Sequence, residues 1–233
     1  MWGKYTYLIL DLIALCPVVF LSFDKWVQFY KKWKHSFLAI IPVAAIFIIW
    51  DVWFTQIGVW EFNPPYLVGI NIINLPLEEW LFFIVIPLVT LFMAESIKVH
   101  FGKYLNKINL KGLYYVLLFC CVLGLITGFL NNEGYYTKIN FGLGIIVSIL
   151  HLKFWNKQKL DLFGATYLIH LIPFALVNGV LTSEPVVIYN AAHNLGIRFT
   201  TIPIEDFFYS YNMIGLVFLI YFFLEDKQSK INS

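Results

Sequence analysis

The sequence predicts an all-α integral membrane protein of seven transmembrane helices, arranged as a parallel 3+1+3 internal repeat. Three observations predict it: a composition too apolar for a water-soluble domain, seven runs of membrane length, and self-similarity at an offset of 127 residues. Of the 233 residues 60% are hydrophobic and 13% charged, with a mean hydropathy of +0.76, more apolar surface than a soluble core can enclose. The net charge of +2 and the lack of a basic stripe outside the loops argue against a nucleic-acid partner. Cys16, Cys120 and Cys121 all fall inside apolar runs and have no metal-ligand spacing.

A hydrocarbon core of about 30 Å is crossed by ~20 apolar residues in a helix. The first run, 5–23, is preceded only by Lys4, interrupted by Asp11 and followed by no small-x-small site, so it reads as a retained helix rather than a cleaved leader. The remaining spans are expected at 36–54, 77–95, 112–130, 139–152, 163–181 and 204–224. The fifth is short, and the fourth carries Gly124 and Gly128 at the spacing that lets helices approach closely. Thirteen of the sixteen basic residues lie in 24–35, 96–111, 153–162 and the C-terminal tail, leaving Lys4, Lys138 and Arg198 on the other side. This bias predicts a multi-pass protein of the cell (inner) membrane, with its N-terminus outside and its C-terminus cytoplasmic.

At the 127-residue offset Thr55 aligns with Thr182, Asn63 with Asn190, Gly69-Ile70 with Gly196-Ile197, and Pro76 with Pro203. Asp51 falls opposite Asn178. Spans 1–3 thus repeat as spans 5–7, and the odd fourth span gives both copies the same orientation. The expected division is a first three-helix repeat over 1–105, a linker span over 106–132 and a second repeat over 133–233. The outer loops 55–76 and 182–203 carry Trp60, Phe62, Tyr66, Val186, Val187 and Tyr189, and are expected to fold back over the bundle.

The repeat includes a doubled acidic motif, Pro76-Leu77-Glu78-Glu79-Trp80 and Pro203-Ile204-Glu205-Asp206-Phe207, each at the mouth of an apolar run. Each proline suits the first turn of its helix. Acids at a helix N-terminus favour the macrodipole. Two pairs in register at membrane depth point further, to chemistry. Neighbours on a helix diverge by ~100°, so one acid of each pair can face the bundle while the other faces the interface or the loop. Glu78 and Glu205 are the first candidates for the reacting carboxyls because they are equivalent, with Glu79 and Asp206 next. Trp80, Phe82, Phe83, Phe207, Phe208 and Tyr209 follow directly; they suit lipid contact or a π-lined pocket that stabilises a cation. Asp51 and Asp11 share the same layer, and Asn63 and Asn190 sit in the loops above it. Arg198, the sole arginine, has a planar fork suited to a carboxylate. His170 suits a helix–helix hydrogen bond, His193 a proton relay in the second loop, and His151 a place near the cytoplasmic interface. No GxGxxG, P-loop, zinc spacing or nucleophile–base arrangement stands out, so no cofactor or metal is expected.

These residues together resemble the carotenoid-cyclase domains of the heterodimeric type, the non-flavin lycopene cyclases of actinobacteria, archaea, some Bacteroidetes and fungi. The likeness rests on the doubled Pro-x-Glu-Glu/Asp motif, with Asp51, Trp60-Glu61-Phe62-Asn63, Gly69, Asn190, Gly196 and Arg198 adding to it. It covers nearly the whole chain, which looks like the form in which two three-helix units are fused through an extra span. The resemblance implies a redox-neutral isomerisation of lycopene to γ-carotene and then β-carotene. A protonated carboxyl would attack the terminal double bond, the cation would close on the C5=C6 bond, and a base would remove a proton. The acid must then be kept neutral by a dry site. On this reading Glu78, Glu79, Glu205, Asp206, Asp51 and Arg198 are catalytic, and Trp80, Phe83, Phe207, Phe208, Asn63 and Asn190 bind substrate. Both motifs lie on one side, which predicts one composite site serving each end of the substrate in turn. The partners implied are lycopene, the bilayer and other membrane enzymes of the carotenoid pathway. A cyclase making C50 or ε-ring products is the nearest alternative, and a SWEET-like 3+1+3 transporter is the alternative of another class. A retinal protein fits poorly, since 204–224 holds no lysine for a Schiff base.

Overall fold

Seven long helices form the bundle in a computed structural model that describes residues 3–130 and 134–231. They are α1 (Thr6–Leu21), α2 (Trp33–Gln56), α3 (Leu77–Leu105), α4 (Lys111–Leu130), α5 (Tyr135–Phe154), α6 (Lys157–Ser183) and α7 (Ile204–Ile231). All seven are long and apolar enough to cross a membrane. The expected boundary between linker and second repeat, at 132–133, lies outside the described residues.

Three helices outrun their apolar stretches. α3 continues ten residues past the expected end, α6 begins six residues early, and α7 runs to Ile231. At 1.5 Å per residue, α3 is about 43 Å long and passes beyond the hydrocarbon layer. The extensions combine charge pairing with apolar contacts, since Ile97, Leu160 and Leu162 are buried in the core. The Lys32 ammonium lies 2.9 Å from buried Glu95 and 2.5 Å from Glu225, and Lys157 pairs with Asp161 at 2.6 Å. The fifth helix is also longer than expected, spanning 20 residues. Its first turns were hidden by Tyr136, Thr137 and Asn140, polar residues buried against α7.

The 127-residue offset recurs in the structure element by element. Strand β1 (Trp60–Phe62) matches β4 (Val187–Tyr189), β2 (Asn71–Ile72) matches β5 (Arg198–Phe199), and β3 (Leu75–Pro76) matches β6 (Ile202–Pro203). The 3-10 turns Pro64–Tyr66 and Ala191–His193 match in the same way. Ile73 and Thr200, the matched tips of the β2–β3 and β5–β6 hairpins, both have positive φ. The backbone turns just before them, at Gly69 and Gly196, are also left-handed, at +92° and +72°, where glycine bears no Cβ penalty.

β1 pairs antiparallel with β4, so the two loops join above the bundle, with Glu61 opposite its own repeat mate Ile188. The link is reciprocal. The Asn63 amide donates to the Val186 carbonyl and the Asn190 amide to that of Val59, each at 2.9 Å. The loops therefore fold back over the bundle, burying Trp60, Leu67 and Val186. Elsewhere in the bundle α4 lies against α5, where a Cβ on Gly124 would sit 2.5 Å from the Phe141 ring.

Candidate active site

Each acidic motif opens its helix at the expected residue, with the proline just before it. Pro76 and Pro203 are paired in the two-residue strands β3 and β6, so the helices start at Leu77 and Ile204. Their first amides are not left open, because Leu77 donates to Ile70 and Ile204 to Ile197 across the hairpins. The two acids of each pair then diverge by about 100° around the helix.

The first acids turn under the loops. The Val68 amide donates to Glu78 Oε1 at 2.7 Å, and the Leu195 amide donates to Glu205 Oε1 at 2.6 Å. Thr137 on α5 adds a hydroxyl to Glu205 at 2.7 Å. Both carboxyls are fully buried, yet neither lines the cavity beneath the loops.

The second acids do. Glu79 and Asp206 line one cavity, with about 530 Å³ of unfilled space including its mouth. Helices from both halves build it: Tyr7 from α1, Phe82 from α3, Tyr136 from α5, Phe174 from α6 and Tyr209 from α7. Trp60 and Tyr189, from the paired strands, close it. Tyr209 makes edge or tilted contacts with Trp60, Trp50, Phe47 and Tyr136 at 5.0–6.2 Å, giving a continuous aromatic wall.

The two carboxyls are bound differently. Tyr7 donates its hydroxyl to Glu79 Oε2 at 2.5 Å. Asp206 accepts at both oxygens, from Tyr136 at 2.6 Å and from Tyr189 at 2.8 Å. Withdrawal from water, with Asp206 beside it, pushes the Tyr189 hydroxyl well above its ordinary range and keeps it a donor. Asp51 stands within interaction range of Glu79 and accepts from Trp60 Nε1 at 2.6 Å. Its second oxygen, Oδ2, is buried without a hydrogen-bond partner. Asp11 is buried within electrostatic range of Glu78.

Several other expected site residues lie elsewhere. Arg198 is exposed; its guanidinium donates to the Thr201 carbonyl and lies 5.9 Å from the Tyr189 ring. Among the described residues it forms no ion pair with a carboxylate, although its charge lies within electrostatic range of Asp206 and its guanidinium lies over Tyr189, which donates to Asp206. The Asn63 and Asn190 side chains each cross to the other half, donating to Pro185 and Gly58 carbonyls at 3.1 and 3.0 Å. Trp80 and Phe83 pack in the helix core. Phe207 packs on Phe174, and Phe208 on Phe141. None of these six lines the cavity.

His170 does join helices, with its ring nitrogens 3.4 Å from Thr90 on α3 and 3.0 Å from Ser210 on α7. His193 is buried beside Tyr135, and His151 stacks on Trp155 at 3.7 Å near the end of α5. Tyr7, Tyr136, Tyr189 and Phe174 are cavity residues that sequence reasoning missed. A signal existed for Tyr136: with Thr137 and Asn140 it forms a polar group on one face of a transmembrane helix, and such groups seek polar partners.

A family model described as Lycopene cyclase matches two stretches of the chain, residues 4–97 and 132–224. No curated protein and no solved structure matches.

Proposed function

We propose, from the premise that this chain belongs to the lycopene cyclase family, that it is a lycopene β-cyclase, an isomerase of the intramolecular-lyase kind. The single observation that carries the reading is that Glu79 and Asp206, one acid from each half, line the same aromatic cavity. A transporter has no comparable need for two carboxyls in one aromatic-lined cavity.

In the proposed reaction one carboxyl group gives a proton to C2 of the terminal double bond, leaving a tertiary cation at C1. The C5=C6 π electrons form the C1–C6 bond, and the charge moves to C5. Loss of the C6 proton restores C5=C6 and completes a β-ring. One proton enters and one leaves, so no electrons are exchanged. Glu79 suits the donor, since only one of its oxygens accepts from a phenol. Asp206, accepting at both oxygens, has the pattern of a carboxylate and suits the acceptor. Asp51, beside Glu79, is proposed to take part in holding and returning the proton. The Tyr209, Trp60 and Phe82 rings face the space in which the cation forms.

Glu78 and Glu205 are proposed as positioning residues that tie each loop to its helix, and Arg198 as a group that orients Tyr189. The lysine bias supports placing both loops at the outer face of the cell membrane, and the matched elements support two repeats, 1–105 and 133–233, with 106–132 as linker. Expression in a lycopene-accumulating host, followed by chromatography and mass analysis of the pigments, tests the function. β-Carotene is the expected product. Unchanged lycopene beside membrane-inserted protein would sink the reading, and an ε-ring product would correct it.

A further inference from the structure

Beside the cavity proposed as catalytic lies an apolar cleft between α1, α3 and α6, with about 390 Å³ of unfilled space including its open mouth. The two share Phe82, Phe174 and Asn178, so these three side chains form a common threshold. Beyond it the lining includes Ala14, Val89 and Val177, with His170 the only titratable group. Both His170 nitrogens already have partners. The flanking residues Ile13 on α1, and Ile172 and Leu176 on α6, are 55, 66 and 68% exposed. On a membrane-spanning bundle such a face meets lipid.

The related place, between α5, α7 and α2, is filled. There Phe141 takes the position of Ala14, Trp50 that of Val177, Phe47 that of Phe174 and Tyr209 that of Phe82. Tyr209 packs against Trp50 at 5.0 Å and Phe47 at 5.1 Å, and Phe141 against Phe208 at 4.7 Å. Two small side chains at the α1–α3–α6 cleft thus stand where the related place, between α5, α7 and α2, has large aromatic ones. The fold is two-fold in its backbone and one-sided in its opening.

We infer that the α1–α3–α6 cleft is the lateral port through which the carotenoid's polyene chain passes from the bilayer to the carboxyls, and that Ala14 and Val177 keep it open. The occupant is an extended apolar chain because the cleft is apolar, faces lipid and leads to the cavity proposed for its end group. The inference rests on the cyclase reading above. With one port and one cavity, a two-ended substrate presents its ends in succession, withdrawing and turning between rings.

The test is to install in the port the side chains the chain already carries at the related positions. Ala14→Phe, Val177→Trp and the double variant would be purified in lipid nanodiscs with lycopene, alongside Ile49→Trp on the exposed face of α2 as the control. Retained carotenoid is read by absorbance, ring formation by chromatography and folding by thermal melt. The expected result is a loss of retained carotenoid of about tenfold or more in the double variant, matched by slower ring formation, with the melt and the Ile49→Trp control unchanged. Wild-type retention in a folded double variant would overturn the port. Should the large side chains prevent folding, Val177→Ala takes their place: faster carotenoid uptake is expected, and an unchanged rate overturns the port. Carotenoid that is retained by the wild type, lost on plugging and never cyclised would leave the port standing and overturn the cyclase chemistry. Ring formation at wild-type speed in the plugged protein would do the reverse.

Discussion

The Tyr7 hydroxyl donates to Glu79 Oε2 at 2.5 Å, tying α1 to the mouth of α3 across 72 residues of chain. Both groups are buried, so removing the donor leaves a carboxyl oxygen without a partner. Tyr7→Phe is expected to lower the melting temperature by an amount equivalent to about 1–3 kcal/mol and to slow ring formation. Thermal melts and pigment assays on the same preparation check both effects. An unchanged rate would detach Tyr7 from the proton-handling group.

Glu78 and Glu79 are sequence neighbours with different expected phenotypes. Glu79→Gln keeps the shape and removes the proton, so the rate should fall by about a hundredfold or more with little change in the melt. Glu78→Ala unties the Val68 amide and should reduce stability by about 1–3 kcal/mol. Residual turnover by the folded fraction of Glu78→Ala, set against its near absence in Glu79→Gln, is the contrast that supports the assignment. Equal loss of chemistry in both would refute it.

The same contrast should repeat in the second half. Asp206→Asn is expected to abolish ring formation in a folded protein, because both halves serve one cavity. If Glu79→Gln and Asp206→Asn each stopped the reaction after one ring, leaving γ-carotene at full speed, the halves would be working independently and the composite site would fail.

Asn63 and Asn190 are expected to affect stability before chemistry. Each side chain holds a carbonyl of the other half, and alanine at either position should cost about 1 kcal/mol. Denaturant titration in detergent would measure it, with the Michaelis constant for lycopene as the second readout. A large rise in that constant without a stability change would return the asparagines to substrate binding.

Gly124→Ala places a Cβ 2.5 Å from the Phe141 ring, where a packed aromatic side chain has little freedom to move. A loss of about 1–3 kcal/mol is expected from the displaced α4–α5 contact. Gly112→Ala, whose added Cβ meets nothing within 4 Å, is the control and should melt like the wild type.

Much of this architecture was legible before any coordinates. Apolar runs and lysine-bearing turns locate seven spans because a bilayer imposes a length and a charge bias on every helix. The repeat was visible in Pro76 and Pro203 and in Gly69 and Gly196, since backbone turns need particular residues wherever they recur. Less visible were the far end of α3, the start of α6 and the end of α7, where charged residues such as Lys157, Asp161 and Glu225 dilute the hydropathy while pairing with one another or with Lys32. The start of α5 was hidden because Tyr136, Thr137 and Asn140 reduce its apolar signal while serving Glu205 and Asp206.

The site divides along the same line. That two acidic pairs stand in register at one end of a membrane bundle follows from residue order alone, because the motif and its offset are one-dimensional facts. Which acid of each pair meets the cavity is set by packing. Neighbouring residues on a helix point about 100° apart, and the direction of that turn is set by what the helix packs against. Here the loop amides of Val68 and Leu195 claim Glu78 and Glu205. Glu79 and Asp206 are left to the aromatic chamber, Glu79 held by Tyr7 from α1 and Asp206 by Tyr136 from α5 and Tyr189 from β4, residues remote in sequence and adjacent only after folding.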